Sequence, residues 1–502
     1  MPPSSTEFTP STSILTPQQR RRLTRRPSDG AMIAVLTASG LIAAFMQTLV
    51  VPIVPHLPEL LDTTTADAQW VLTSTLLAAA ISTPISGRLG DMFGKRRMVL
   101  VLLAILVLGS IISALSVTLI PMLVGRTLQG ISLGVIALGI SVLRDVIHPK
   151  NLAAAVALVS ATLGVGGAVG LPVAAVIAQN FDWHLLFWMA AILGFLAFFA
   201  VLAIIPVSTL RTGGRFDFVG AVGLAVGLIC ILLAISKGTE WGWTSPLTLG
   251  LLGGGILVLI AWGVFELRTA SPLVDLRVSV RRAVLFTNLA SISVGFAFFV
   301  TNAALPVLLE GPTEGAGLGQ TLIVTSLCLM PGGLAMFFVS GLAARLSTAK
   351  GPRTSLILGT AIIAAAFSVG PWLMYEVWQV VIISTVVGIG TGFAYSSLPT
   401  LIMRAVPSSE TAAANGLNSV MRTLGSTSSA TVIGIILATQ TMEISTGTVP
   451  TEGAFQLIFI IAAAVAAASI LLALFIPRAE RQYEHTASIP VQTGTLPVPG
   501  TS

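Results

Sequence analysis

Apolar residues in this chain come in long unbroken runs, without the alternation of a strand or the single stripe of a soluble helix. A helix that crosses a bilayer needs about 20 mainly apolar residues. Runs of that length lie near 31–51, 69–87, 98–117, 121–143, 152–178 and 186–206, then 218–236 and 247–265, then 284–308, 321–343, 355–374, 377–402, 415–438 and 454–476. The pattern predicts an all-α polytopic membrane protein of 14 transmembrane helices, grouped six, two and six. Its segments are a basic tail over 1–30, a six-helix half over 31–206, a two-helix insertion with flanking loops over 207–282, a second six-helix half over 283–476 and a tail over 477–502. Both tails are expected to be disordered. No clear cleavage site accompanies the first run, so it reads as a retained helix and not a signal peptide.

Charge tests the helix count independently, because Lys and Arg in short loops concentrate on the cytoplasmic side. With the N-terminus inside, the inner segments hold the cluster from Arg20 to Arg26, then Arg88, Lys95, Arg96 and Arg97, Arg144 and Lys150, Arg211 and Arg215, Arg268 through Arg282, Arg345, Lys350 and Arg353, Arg404, Arg478 and Arg481. Of the 26 basic residues only Lys237 falls on the other side, and Arg126 and Arg422 lie within spans. Both termini are therefore expected on the cytoplasmic face of a bacterial inner membrane. Composition agrees: 54% of residues are hydrophobic and 9% charged, where a soluble domain has about a quarter charged. The net charge of +6 sits in separate clusters and forms no continuous groove, so the implied partner is the lipid bilayer and not nucleic acid. Nothing in the pattern fixes an oligomeric state.

The two six-helix halves carry traces of duplication. Ser86-Gly87 and its basic turn match Ser340-Gly341 at an offset of 254, Ala153-Ala154-Ala155 matches Ala412-Ala413-Ala414 at 259, and Thr162-Leu163-Gly164 matches Thr423-Leu424-Gly425 at 261. Transporters are often built from such related halves. Cys230 and Cys328 stand alone in apolar stretches, and His56, His148, His184 and His485 are scattered, so neither a metal site nor a cofactor is implied. No G-x-x-x-x-G-K-[ST] loop is present for nucleotide hydrolysis.

The turn after the second run reads Gly87-Arg88-Leu89-Gly90-Asp91-Met92-Phe93-Gly94-Lys95-Arg96-Arg97. Its glycines allow a tight turn and close helix approach, and an acid among four bases can form a switchable charge cluster. This segment resembles the G-x-L-a-D-r-x-G-r-k signature of the major facilitator superfamily, between helices two and three as in that family. The resemblance covers about 31–476, and the helix grouping is similar to the family's fourteen-helix drug:proton antiporter branch. Supporting segments are Gly214 to Gly220 opening helix seven, Trp241-Gly242-Trp243 after it, and Pro272 to Leu276 before helix nine. The resemblance implies two halves facing each other across a central cavity, a small-molecule substrate, protons as coupling ion, and a gating role for Gly87, Leu89, Asp91, Gly94, Lys95 and Arg96.

In helix four, Gly125-Arg126-Thr127-Leu128-Gln129-Gly130 resembles the family's R-x-x-Q-G motif. A deep arginine costs at least about 2.5–3.5 kcal/mol and by default marks function. By resemblance, Arg126, Gln129 and Gly130 would couple ion movement to substrate, with Arg126 facing the cavity; the alternative is an arginine that snorkels or ties neighbouring helices. Helix five carries Gly164, Gly166, Gly167, Gly170 and Pro172, similar to the antiporter motif g-x-x-x-G-P-x-x-G-G, although Leu171 separates Gly170 from Pro172. Small residues and a proline suit a rocking interface.

Helix one departs from the branch: where its members carry an aspartate, this chain has Met46, beside Gln47. None of the 20 acids lies deep in a span. Met46, Gln47, Asn302 and Asn418 are expected to line the substrate cavity, Asn288, Thr301 and Ser419 would line it or, as any of these polar residues could, bond neighbouring helices, and Arg422 either reaches that cavity or snorkels to the cytoplasmic end. With only Arg126 and Arg422 charged within spans, neutral or anionic amphiphiles are expected to be preferred over cations, Arg126 being the more important. The expected function is proton-driven efflux of drug-like amphiphiles by alternating access. Export of a specific metabolite or lipid precursor, with unusual or no proton coupling, is the other reading. A membrane enzyme would need acids, His or Cys gathered at one depth, and no such group occurs.

Overall fold

The computed structural model describes residues 27–207, 215–444 and 447–477. Almost all of both expected tails, together with Arg211 and Gly214, lies outside the described residues. Fourteen helices among those described are long and apolar enough to cross a membrane. They are α1 Asp29–Val54, α2 Trp70–Phe93, α3 Lys95–Ala114, α4 Leu119–Val146, α5 Pro149–Asn180, α6 His184–Ile204, α7 Phe218–Gly238, α8 Pro246–Arg268, α9 Arg282–Glu310, α10 Leu322–Lys350, α11 Pro352–Trp372, α12 Val377–Ala405, α13 Ser408–Thr439 and α14 Glu452–Leu474.

Local chemistry sets the ends. Ser28, Asp217, Ser245, Thr321 and Thr451 cap the starts of α1, α7, α8, α10 and α14 with side-chain oxygens that accept main-chain N–H groups. Pro149, Pro246 and Pro352 open α5, α8 and α11, where a missing N–H costs nothing. Several helices outrun the apolar ruler, α10 by reaching Lys350 and α13 by starting at Ser408, because backbone hydrogen bonding continues past the last apolar residue. Pro52 lies in a 3-10 turn that ends α1, and α4 is broken at Leu133. A short antiparallel ribbon, β1 Thr441–Ile444 and β2 Gly447–Pro450, joins α13 to α14 and was not expected from the sequence.

The two largest clusters of buried apolar residues divide between the halves. One gathers Leu36, Val99, Leu106 and Phe187 from the first six helices; another gathers Val300, Phe367, Val380 and Phe459 from the last six. Lipid tails are as apolar as leucine, so such burial does not itself hold membrane helices together, and close approach of small residues matters more. The duplication is visible in the turns: Gly94 and Gly351, 257 residues apart, both have positive φ, 109° and 89°. At the start of α3 Arg96 Nη2 donates to the Leu202 carbonyl of α6 (2.6 Å), and at the start of α11 Arg353 Nη2 donates to the Leu474 carbonyl of α14 (2.7 Å).

The halves meet along two seams, α2 with α13 and α5 with α10. The inserted α7 packs along the first, with Leu224, Leu228 and Leu232 against Ala80 of α2 and Leu417 and Val420 of α13. Near its far end the Ile235 carbonyl accepts from Thr431 of α13, and Lys237 sits 5.1 Å above the Trp70 ring of α2. Outside it, α8 exposes Leu249, Ile256, Leu257, Ile260 and Val264, as a lipid-facing helix does.

Candidate gate and transport cavity

Asp91 stands two residues before the end of α2, and the positive φ of Gly94 turns the chain there into α3. Its carboxylate is 1% exposed and crosses to the other half, where Oδ2 accepts the main-chain N–H of Ala413 at 3.1 Å. That N–H lies in the first turn of the α-helical part of α13, which begins at Thr411. Free N–H groups and the positive end of the helix dipole make this a natural anion seat. Lys95 lies 3.7 Å from Asp91 Oδ1 and 2.9 Å from Asp145 Oδ1, and also donates to the Ser408 carbonyl across the seam at 3.4 Å. Arg144 donates to Thr411 Oγ1 (2.5 Å) and to the Val406 carbonyl (3.3 Å). Beneath these bonds a Cβ at Gly87 would collide with the main chain of Ala412 and Ala413.

The cluster is smaller than the turn sequence suggests. Arg88 is buried beside it, Leu89 is part-buried and Arg97 is exposed, while Arg96 is the within-half staple to α6. Arg144 was read only as a base on the inner side and Asp145 only as one of the acids outside the depth of a span; their adjacency at the end of α4 was the available signal. The lock is also one-sided. At the 257-residue offset that relates the two turn glycines, the partner of Asp91 is Thr348, which has no charge.

Away from the basic end, a small cavity of about 40 Å³ lies between α5 and helices of the second half, although α5 and α10 touch closely at Gly164 and Gly333. Its walls are Gly164, Gly167, Ala168 and Leu171 of α5, Phe298, Thr301 and Asn302 of α9, Ser326, Leu329 and Met336 of α10, and Ser384, Val387 and Thr391 of α12. It is apolar with scattered hydroxyls and one amide, and none of its lining residues is charged. The helix-five glycines divide their work. Gly166 and Gly170 abut Ala44, Phe45 and Thr48 of α1, and Thr48 Oγ1 donates to the Gly166 carbonyl at 3.3 Å. Gly164 abuts Met336 of α10, Gly167 faces Thr48 more loosely, and Pro172 sits inside the helix.

Three expected cavity residues lie elsewhere. Arg126 is 1% exposed and turned into its own half, where Nη1 donates to the Met46 carbonyl (3.1 Å) and to Gln129 Oε1 (2.7 Å). Gln129 in turn donates to Ser110 of α3 (2.9 Å), and Gly130 packs on the α2 main chain at Thr75, so the motif ties four helices together. Met46 is 2% exposed and offers only its carbonyl. Asn418 bonds Asn288 Oδ1 (2.9 Å) and Ser291 Oγ (2.7 Å) of α9, because a buried amide needs partners and the adjacent helix has them. Asn302 does line the cavity, and Gln47 is part-buried. Arg422 does not snorkel: its guanidinium lies 5.0 Å above the Tyr395 ring of α12 and donates to Ser419 Oγ at 3.0 Å. At the opposite end from the gate, the backbone N–H and ring of His184 hold the exposed Asp182 carboxyl below its usual range.

A family model described as Major Facilitator Superfamily matches residues 36–430 and, overlapping, 287–497. The chain belongs to the Major Facilitator Superfamily. It is therefore a multi-pass membrane transporter and not an enzyme. Among relatives of this superfamily chain, Multidrug resistance protein 3 of Bacillus subtilis (strain 168) is 24% identical over 73% of this chain and 72% of its own. Multidrug resistance protein Stp of Mycobacterium tuberculosis (strain CDC 1551 / Oshkosh) is 25% identical over 80% and 75%. The Tetracenomycin C resistance and export protein of Streptomyces glaucescens is 31% identical, over 53% and 51%. Of solved structures, the human organic anion transporter MFSD10 (TETRAN) aligns with a TM-score of 0.63 at 16% identity over 89% of this chain and 100% of its own. The proton:xylose symporter XylE aligns at 0.62 and 14% over 89% and 96%. At those identities the likeness is one of fold.

Proposed function

We propose that this transporter exports amphiphilic small molecules from a bacterial cell by alternating access, with the proton gradient as its energy source. Its basic face is then the cytoplasmic one, both termini lie there, and the working units are the halves 31–206 and 283–476, with 207–282 as an insertion that closes one lateral gap. The observation that carries the reading is the asymmetry of the contact between halves. Side-chain bonds of Asp91, Lys95 and Arg144 join them at the basic end, while a cavity lies between them further out. A transporter loaded from the cytoplasm must break that lock to receive cargo and remake it to release cargo outside. Asp91, Lys95, Gly87 and Gly94 are thus gate residues, and Arg126, Gln129 and Gly130 hold the N-terminal half in shape as it moves. Resistance and export relatives support the outward direction.

The test is flux from purified protein in liposomes, with a lipophilic drug mixture and an imposed pH gradient. Drug movement that follows the gradient and vanishes in Asp91→Asn supports the reading, and absence of any movement across a panel of amphiphiles sinks it. A second reading, export of one endogenous metabolite or lipid precursor without ordinary proton coupling, is favoured by one observation. Among the described residues every carboxylate within a span sits near its end, Asp91, Asp145, Glu266 and Glu310 included. Drug flux indifferent to the pH gradient would select it.

A further inference from the structure

We infer that Arg422 is the specificity residue of the cavity and recognises the anionic end of an amphiphilic cargo, a carboxylate above all. The inference rests on the export reading and names its substrate class. Arg422 lies 11 residues beyond Thr411, where the α-helical part of α13 begins, about 16 Å along the axis and so roughly half-way across a bilayer core. At that depth a cation is retained only for a function or for a partner. No carboxylate pairs with it among the described residues. Its one side-chain hydrogen bond goes to the neutral Ser419, and its second neighbour is the face of Tyr395, which stabilises a cation without neutralising it. The guanidinium has five N–H donors. Arg422 is part-buried, and the donors not used by Ser419 are not sealed and unsatisfied as Arg126 Nε is.

The contrast with Arg126 decides which arginine is available. Arg126 is sealed inside its half and spends its donors on Met46 and Gln129. Arg422 instead stands one layer behind the cavity wall: Tyr395 covers its guanidinium at 5.0 Å and lies 5.4 Å from Phe298, which lines the cavity with Thr301 and Asn302, so a shift of these two rings as the halves part opens the arginine to the cavity. Once the halves part and widen this space, a cargo places its apolar body against Phe298, Met336 and Leu171 and its charged end towards the guanidinium. A carboxylate can take two parallel N–H bonds from an arginine, and a cationic end is repelled.

The test uses dansylaminoundecanoate and its methyl ester, which differ in charge and hardly in shape, as fluorescent ligands of the purified full-length protein. The native protein should bind the acid at least about tenfold more tightly than the ester. In Arg422→Gln that ratio should fall towards one, and in Arg422→Lys to an intermediate value, because a lysine keeps the charge but loses the fork. A native ratio near one, or a native-like ratio in Arg422→Gln, overturns the inference. Should Arg422→Gln fail to fold, Arg422→Lys decides, and an unchanged ratio there is equally fatal. Liposome flux of the two probes separates the premises. A strong binding preference with no flux of either probe sinks export alone, and ester flux with a binding ratio of one sinks the anion site alone.

Discussion

Ser-Gly pairs place Gly87 and Gly341 together in the sequence, but at the 257-residue offset of the turn glycines the counterpart of Gly87 is Ala344, and Gly341 lies three residues nearer the start of its helix, so their surroundings differ. A methyl group at Gly87 would strike the main chain of Ala412, whereas none of the surrounding structure comes within 4 Å of one at Gly341. Gly87→Ala should therefore hold the basic end open and abolish transport, while Gly341→Ala should be nearly silent. The separation of spin labels at the exposed Phe93 and Arg404 reads this out: it should lengthen only in the first variant. Asp91→Asn keeps an acceptor for the Ala413 N–H but loses the charge. Hydrogen bonds to charged groups contribute about 1.5–3 kcal/mol and roughly half that when neutral. The closed form should lose on the order of 1–2 kcal/mol, about a tenfold shift towards the basic-end-open form. Unchanged label distances together with normal flux would remove Asp91 from the gate.

At the scale of a helix, α4 and α5 show how a motif can be recognised and its orientation still be missed. Span lengths and the turn glycines follow from apolar runs and backbone sterics, which are local, so they were legible. Which face of α4 carries Arg126 depends on how α1, α3 and α4 are packed, which no single-helix pattern specifies. The same holds for Asn418, whose partners Asn288 and Ser291 come from a helix about 130 residues earlier. A gating role for Asp91 was anticipated from the family resemblance, whereas its bond to Ala413, 322 residues away, joins two segments that spacing alone could not. Arg126→Gln should behave as a structural lesion: a lower unfolding temperature and comparable loss of flux for every cargo. Arg422→Gln should change the ranking of cargoes. On α5, Gly166→Val should wedge Ala44 and Phe45 of α1 away and impair transport at unchanged expression, as assayed by flux in liposomes.

Across the whole molecule, fourteen helices among the described residues are long and apolar enough to cross a membrane, and that even count would return the chain to the face on which it began. Cysteines placed at Thr313 and at Ala349, both exposed, flank α10 and should lie on opposite sides. An impermeant reagent should label the first in intact cells and spare the second; equal labelling would break the helix count. Ser347, two residues further into α10 than Ala349, is buried and would stay unlabelled on either side. The missing mid-span carboxylate also has an electrical meaning. A cargo that rides beside Arg422 as an anion moves negative charge out of a cell whose interior is already negative. That movement is worth about 2.3 kcal/mol per 100 mV for each charge, roughly a fiftyfold concentration ratio. Voltage, the electrical part of the proton gradient, would then add to its chemical part in concentrating such a cargo outside. A potassium diffusion potential, negative on the loaded side, should accelerate efflux of dansylaminoundecanoate from liposomes, and reversing its sign should slow it.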